Sequence, residues 1–266
     1  MNRYETVFKD LKGRSRGALV PFLMLGEWGV EDTLCWVDML VENGADVLEL
    51  GMPFSDPVAD GLVIQQSSVV ALEKGATPDS CFKMIAVIRE KYPELPMGLL
   101  TYANLVVARG VNKFYRDAVN NGLDSVLMAD IPAHAIRVFS EAALENNILP
   151  ILIAPPNATE EQLTFIAQYS RGYTYVVSRS GVTGANQQAG IPTDIIHRLK
   201  QLQAPPALLG FGISSTKDVE NAIQAGCGGV ICGSALVNIQ QQNSIEKALD
   251  DGARLMQDLC CGLSCN

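Results

Sequence analysis

Residues 46–61 read Asp-Val-Leu-Glu-Leu-Gly-Met-Pro-Phe-Ser-Asp-Pro-Val-Ala-Asp-Gly. From Val47 the run is short, bulky and apolar except for Glu49, which is how a parallel strand covered on both faces reads. Pro53 breaks it, and Pro57 stiffens the acidic loop that follows. Working outward, the same pattern recurs along the chain. It predicts strands at 18–25, 46–51, 96–102, 125–130, 149–154, 173–178, 207–211 and 228–232. Between them lie longer amphipathic stretches, among them 31–43, 78–91, 110–121, 134–146, 159–169, 191–202 and 216–225. Thr77-Pro78 with Asp79, and Ser215-Thr216 before Lys217, are helix-opening sequences, and Gly44 is a helix-closing residue.

Eight strand–helix units in about 250 residues predict α/β architecture closed into a (β/α)8 TIM barrel. An open, doubly wound sheet would need a glycine fingerprint after its first strand, and Leu25-Gly26-Glu27-Trp28-Gly29 is not one. No linker, low-complexity tract or charge block divides residues 1–266, so one domain is expected. Within it, 1–17 holds an N-terminal helix and 259–266 is expected to be a frayed tail. A short extra helix, Ser-Ala-Leu-Val-Asn-Ile-Gln from Ser234, follows the eighth strand.

The bulk properties narrow the partners. Net charge is −9, which sets the chain against nucleic acid and anionic membrane surfaces. A phosphorylated ligand would need a local device, such as backbone N–H groups, to hold it. No run approaches the ~20 apolar residues of a membrane span. The opening Met-Asn-Arg-Tyr-Glu-Thr-Val-Phe-Lys-Asp is charged and amphipathic, unlike a secretory signal, so a cytoplasmic location is expected. Seven cysteines, at 35, 81, 227, 232, 260, 261 and 265, are odd in number and scattered, as reduced thiols are. Their spacing suits no metal, and none is expected.

In such barrels chemistry sits on the loops after the strands. Glu49 lies among apolar neighbours on the second strand, and a buried carboxylate must be paired, protonated or functional. A core ion pair would satisfy it. The loop behind it adds Asp56 and Asp60, which a solvated turn would also explain. Together they equally describe a two-carboxylate acid/base site whose environments push the pKa values apart. Gly210 and Gly212 end the seventh strand, and Gly233-Ser234 end the eighth and open the short helix. Loops after these two strands plus a helix N-terminus form the common phosphate site of the fold. Arg179 to Asn186 is small, polar and hinge-like, in keeping with either a lid or an ordinary loop. His134 and His197 fall in helical stretches, and no strand ends in a lysine, which disfavours a serine triad, a histidine-ligated metal and Schiff-base chemistry.

The run Leu48 to Gly61 closely resembles the signature of the tryptophan synthase alpha chain family. So do Arg179-Ser180-Gly181-Val182-Thr183-Gly184, Gly210-Phe211-Gly212-Ile213-Ser214 and Gly233-Ser234-Ala235, and the likeness runs from Tyr4 to about residue 255. The resemblance implies retro-aldol cleavage of indole-3-glycerol phosphate to indole and glyceraldehyde 3-phosphate, without a cofactor in this chain. It makes Glu49 the general acid/base and Asp60 its partner. It maps the indole pocket onto Phe22, Leu100, Tyr102, Leu127, Ala129, Ile153, Tyr175, Thr183 and Phe211, and the phosphate contacts onto Gly184, Gly212, Gly233 and Ser234. Leu100 with Tyr102, and Leu127 with Ala129, are two apart and so share a strand face. The family works as an alpha-beta-beta-alpha heterotetramer whose beta chain carries pyridoxal phosphate, with Asp56 one contact. A stand-alone lyase releasing free indole, or an inactive allosteric barrel, are the alternatives; the presence of both Glu49 and Asp60 argues against the second. Glu27-Trp28 stand where the family commonly has Asp-Pro, Leu62 replaces a common proline, and Cys232 a common serine.

Overall fold

The computed structural model describes residues 2–178, 190–242 and 244–264. Eight parallel strands close into a barrel in sequence order. They are β1 (Ala18–Met24), β2 (Leu48–Gly51), β3 (Met97–Thr101), β4 (Ser125–Met128), β5 (Leu149–Ala154), β6 (Thr174–Val176), β7 (Ala207–Leu209) and β8 (Gly229–Cys232). All eight predicted strands are present, each trimmed by up to a few residues at its ends. The helices α1 (Arg3–Gly13), α2 (Val30–Glu42), α3 (Leu62–Glu73), α4 (Pro78–Lys91), α5 (Ala103–Arg109) and α6 (Val111–Asn120) belong to the first half. The second half carries α7 (Ile136–Glu145), α8 (Glu160–Tyr169), α9 (Thr193–Gln201), α10 (Thr216–Gln224), α11 (Ser234–Gln242) and α12 (Ile245–Cys261).

Local chemistry sets the helix ends. Thr77 and Ser80 form a reciprocal cap before Pro78, and Ser215 caps α10 through the amide of Asp218. Gly44, at φ 101°, lets the chain turn out of α2 as expected. Two helices do not announce themselves by period. α3 buries one stripe, Ile64, Ser67, Ser68 and Ala71, but half of it is serine, while the apolar Leu62 and Val69 face solvent. α5 is only seven residues long. α12 has Gly252 in its middle, where an added Cβ would meet Trp36 at 2.7 Å, so the glycine buys close packing against α2 at some loss of helix propensity.

The strands separate two apolar layers. Their outward residues, such as Leu19, Leu48, Leu50, Leu99 and Val126, pack under the helices. Their inward residues, including Val20, Val47, Leu127, Ile151, Tyr173, Tyr175 and Ile231, fill the barrel. Helix α1 covers the amino-terminal end: Tyr4 and Leu11 are buried in the inner cluster, and the Tyr4 hydroxyl lies 2.8 Å from Ser125 Oγ. β1 and β2 pair with Phe22 opposite Glu49, and β2 and β3 with Glu49 opposite Gly98. Gly51 is required here, because a Cβ would meet the Phe22 ring at 2.4 Å.

The expected frayed tail is a correction. Through Ser264 the segment is packed, with Leu259 and Leu263 fully buried, the Gly17 amide donating to Leu263 O at 2.9 Å, and Ser264 bridging to Arg16. Cys265 and Asn266 lie outside the described residues. Two cysteines read as a loose end are here the last turn of a helix that closes the barrel against α2 and α10. Leu259→Ala is therefore expected to lower unfolding stability by about 2–5 kcal/mol, as buried leucines do. Denaturant unfolding measures it, and a loss below about 0.5 kcal/mol would restore the frayed tail.

Candidate active site

Val47, Glu49 and Gly51 share a strand face, so the Glu49 side chain enters the barrel, where only 2% of the residue is exposed. Below it the Tyr173 hydroxyl donates to Oε1 at 2.8 Å. Tyr173 in turn rests on Tyr4, with ring centroids 5.9 Å apart, so the carboxyl sits on a floor of aromatic rings. Burial pushes its pKa up to about 7; the Tyr173 hydrogen bond opposes the rise and the neighbouring charge of Asp60 adds to it. A carboxyl titrating near neutrality can both give and take a proton.

Asp60 comes from the loop between β2 and α3. The Tyr102 hydroxyl donates to Oδ2 at 2.9 Å and accepts from the Ala59 amide at 3.2 Å, and the Gln65 amide donates to the Asp60 carbonyl at 2.8 Å. Phe54 stacks on Tyr102 with centroids 5.0 Å apart. Burial raises the Asp60 pKa to about 6 against the pull of the Tyr102 bond. Burial thus raises both carboxyls, and the charge of Asp60 raises Glu49 further.

Both face one cleft at the carboxyl ends of the strands, walled by Phe22, Ile64, Leu100, Tyr175, Phe211 and Ile231, with Gly210, Gly233 and Ser234 on its far side. Its volume is only about 50 Å³, and the Tyr175 hydroxyl in its wall donates to Gly210 O at 3.1 Å. Small-molecule sites usually run from about 300 Å³ upward, so the cleft must widen for a substrate to enter. No lysine or arginine lines the cleft among the described residues. An anion there would be held by N–H groups and the Ser234 hydroxyl. A Cβ on Gly233 would meet the protein only at 3.7 Å, so it is open space toward the cleft that the missing side chain preserves.

Of the residues predicted from sequence, Phe22, Glu49, Asp60, Leu100, Tyr175, Phe211, Gly233 and Ser234 line this cleft. Tyr102 reaches it through Asp60. Leu127, Ala129 and Ile153 belong to the same inner cluster but not to the cleft wall, and Ile153 also borders a depression beside α7 and α8. Gly212, at φ 76°, lines the adjoining depression with Phe211. Thr183, Gly184 and the rest of 179–186 lie outside the described residues. Asp56 is exposed, its Oδ2 accepting from Ser55 Oγ at 2.5 Å. Sequence reading missed Tyr173, although its spacing of two from Tyr175 puts both on the inner face. His134 and His197 do not line the cleft, and among the described residues no group of three or more His, Cys, Asp or Glu is placed to hold a metal.

Two buried carboxyls facing one cleft of a closed parallel barrel are the groups that an acid–base barrel enzyme needs. The sequence matches the tryptophan synthase alpha chain family over residues 8–260. The tryptophan synthase alpha chain of Shewanella amazonensis is 53% identical over 260 residues, covering 97% of this chain and 96% of that one. Among solved structures, Mycobacterium tuberculosis tryptophan synthase matches with a TM-score of 0.88 at 29% identity, over 100% of this chain and 99% of that chain. The tryptophan synthase α2β2 complex of Pyrococcus furiosus matches with a TM-score of 0.82 at 31% identity, over 92% and 98%. The chain belongs to the tryptophan synthase alpha chain family.

The raised pKa of Glu49 also loads the fold. Between the ordinary value of 4.5 and the folded value of about 7, the folded chain keeps a proton that the unfolded chain has lost. The stability this carboxyl contributes is therefore complete below 4.5 and is lost as pH rises through about 7. Glu49→Gln keeps an acceptor for Tyr173 and cannot ionise. It is expected to exceed the parent in stability at pH 8 by on the order of 3 kcal/mol, and to match it near pH 4. Denaturant unfolding at the two pH values reads the difference; a gap independent of pH would contradict the assignment.

Proposed function

We propose that Glu49 and Asp60 are the acid/base pair of the family reaction, the cleavage of indole-3-glycerol phosphate to indole and glyceraldehyde 3-phosphate. The observation that carries this is the pairing itself: two buried carboxyls of different acidity facing one cleft. The protonated Glu49 gives its proton to ring carbon C3, and the positive charge that develops on the ring nitrogen lies opposite the ionised Asp60. The Glu49 carboxylate then takes the proton of the hydroxyl on the side-chain carbon bonded to C3. That C–C bond breaks, its electron pair restores the aromatic ring, and the oxygen becomes the aldehyde carbonyl. Glu49 ends the cycle protonated as it began, so the reaction draws on no cofactor in this chain.

Phe22, Leu100, Tyr102, Leu127, Ala129, Ile153, Tyr175, Thr183 and Phe211 form the indole pocket in this reading, and Gly184, Gly212, Gly233 and Ser234 hold the phosphate. The chain acts as one barrel domain, the alpha subunit of tryptophan synthase, passing indole to a beta chain that binds pyridoxal phosphate. Docking is placed at the carboxyl end of the barrel, around Asp56. Val58, Leu62 and Val107, large apolar residues exposed on that end, support this surface. Among the described residues no helix is long and apolar enough to cross a membrane. The free thiols and the biosynthetic reaction support a cytoplasmic location.

Glu49→Gln is expected to lower kcat by at least about a hundredfold with little change in KM, and Asp60→Asn to be severely slowed. For the wild type, kcat/KM against pH should be bell-shaped. Its acid limb lies near 6, where Asp60 takes up a proton, and its alkaline limb near 7, where Glu49 loses one. A Glu49→Gln variant retaining a tenth of wild-type turnover, or a flat profile from pH 5 to 8, would remove the pair from the mechanism.

Because the loop that carries Asp60 also carries Asp56, ordering it against a partner would place the catalytic group. Adding a beta chain should raise indole formation by at least about tenfold, a coupling within the usual allosteric range. Asp56→Ala should lose most of that activation while keeping the basal rate. An isolated chain already as fast as the mixture would instead make this a stand-alone lyase releasing free indole.

A further inference from the structure

Glu27 is a buried carboxylate that the reaction does not use. It closes the β1–α2 turn with 3% of its surface exposed, and it does not line the catalytic cleft. It grips α3 at two points. Its carboxylate accepts a hydrogen bond from Ser67 Oγ, and its backbone carbonyl accepts one from Lys74 Nζ at 2.6 Å. The Gln241 side chain of α11 lies beside the same carboxylate, although its buried amide nitrogen closes no hydrogen bond of normal geometry.

Helix α3 is the platform of the catalytic loop. Ser68 Oγ accepts from the Phe54 amide at 2.8 Å and donates to the Phe54 carbonyl at 3.1 Å, fixing the start of the loop. Gln65 holds the Asp60 carbonyl at its end. Phe54 stacks on Tyr102, the hydrogen-bond donor to the Asp60 carboxylate. Every described hold on Asp60 except the bond its own amide donates to the Pro57 carbonyl thus passes through α3 or through a ring packed on a residue α3 holds.

We propose that Glu27 is a positioning residue for the reaction: by tethering Ser67 it sets the seat of α3, and through Ser68 and Gln65 the place of Asp60. This rests on the assignment of Asp60 as half of the acid/base pair. The charge of Glu27 is not what the tether needs; an acceptor at the end of a side chain of this length is.

The test uses the full-length chain with indole-3-glycerol phosphate, measured alone and with saturating beta chain. Glu27→Ala and Ser67→Ala are each expected to lower kcat by at least about tenfold, with KM changed by less than about threefold. Glu27→Gln, which keeps the acceptor, should stay within about threefold of wild type. The double variant should be no slower than the worse single one, since both remove one hydrogen bond. The readout that a merely structural role would not move is the acid limb of kcat/KM. A loosened Asp60 gains water, so its limb should fall from near 6 toward the ordinary 3.8 in Glu27→Ala and Ser67→Ala, but not in Glu27→Gln. The ionisable groups that interact with Asp60 are Tyr102, Glu49 and Tyr175, and none is altered. A lowered melting temperature with an unmoved limb and unchanged kcat would overturn the proposal, as would equal damage from Glu27→Gln and Glu27→Ala. If Glu27→Ala does not fold, Ser67→Ala decides. Full activity in Asp60→Asn would instead overturn the catalytic assignment, which separates the two failures.

Discussion

The hydrogen bond from Tyr173 to Glu49 crosses the inside of the barrel from the start of β6 to β2, and much of the interior is arranged around it. A carboxylate taken out of water loses several kcal/mol of solvation, while one hydrogen bond to a charged group returns only about 1.5–3 kcal/mol. The shortfall is expressed as a pKa near 7. A second donor would close the gap and leave a permanent anion with no proton to give. The neighbours avoid supplying one. Gly98, opposite in register, has no side chain, and Phe22 on the other side is apolar. The tyrosines below hold their own protons well above the usual range because they too are buried, so they remain donors throughout.

The two carboxyls are mounted differently, and this divides the work between them. Glu49 stands on a strand locked on both sides by parallel pairing, so its base moves little. Asp60 stands on a loop whose seat is a helix, held by side-chain hydrogen bonds that cost little to open. In the proposed reaction the strand-mounted group exchanges the proton and the loop-mounted one supplies charge. The cleft they face is narrow, and Tyr175 lines it with its hydroxyl bonded to Gly210 O.

Much of this was legible in the sequence because buried parallel strands are short and uniformly apolar, and eight of them at regular spacing leave few architectures. Glu49 stood out for the same reason: a charge inside such a run has to be explained. Tyr173 was harder, since an aromatic residue on a strand reads as filling until its partner is known. Helix α3 was invisible to hydrophobic periodicity because two of the four residues on its buried stripe are serines, while Leu62 and Val69 face solvent. The last residues looked like a loose end because cysteine and glycine weaken a helical pattern. Their burial comes from Val219 on α10 and from Gly17 before β1, contacts that no local window contains. Glu27 was noticed as a departure from the family pattern, but its meaning depended on Ser67, forty residues away.

Helix α1 gives the barrel a floor. With Tyr4 and Leu11 pressed into the lower end and Tyr173 stacked above, the described interior is a blind tube, open only where the strands finish. A small apolar product formed in the cleft has no drain beneath it and a single doorway above. Traffic out of the chamber is then governed by whatever stands in that doorway: bulk water, which disperses the product, or another protein surface, which collects it.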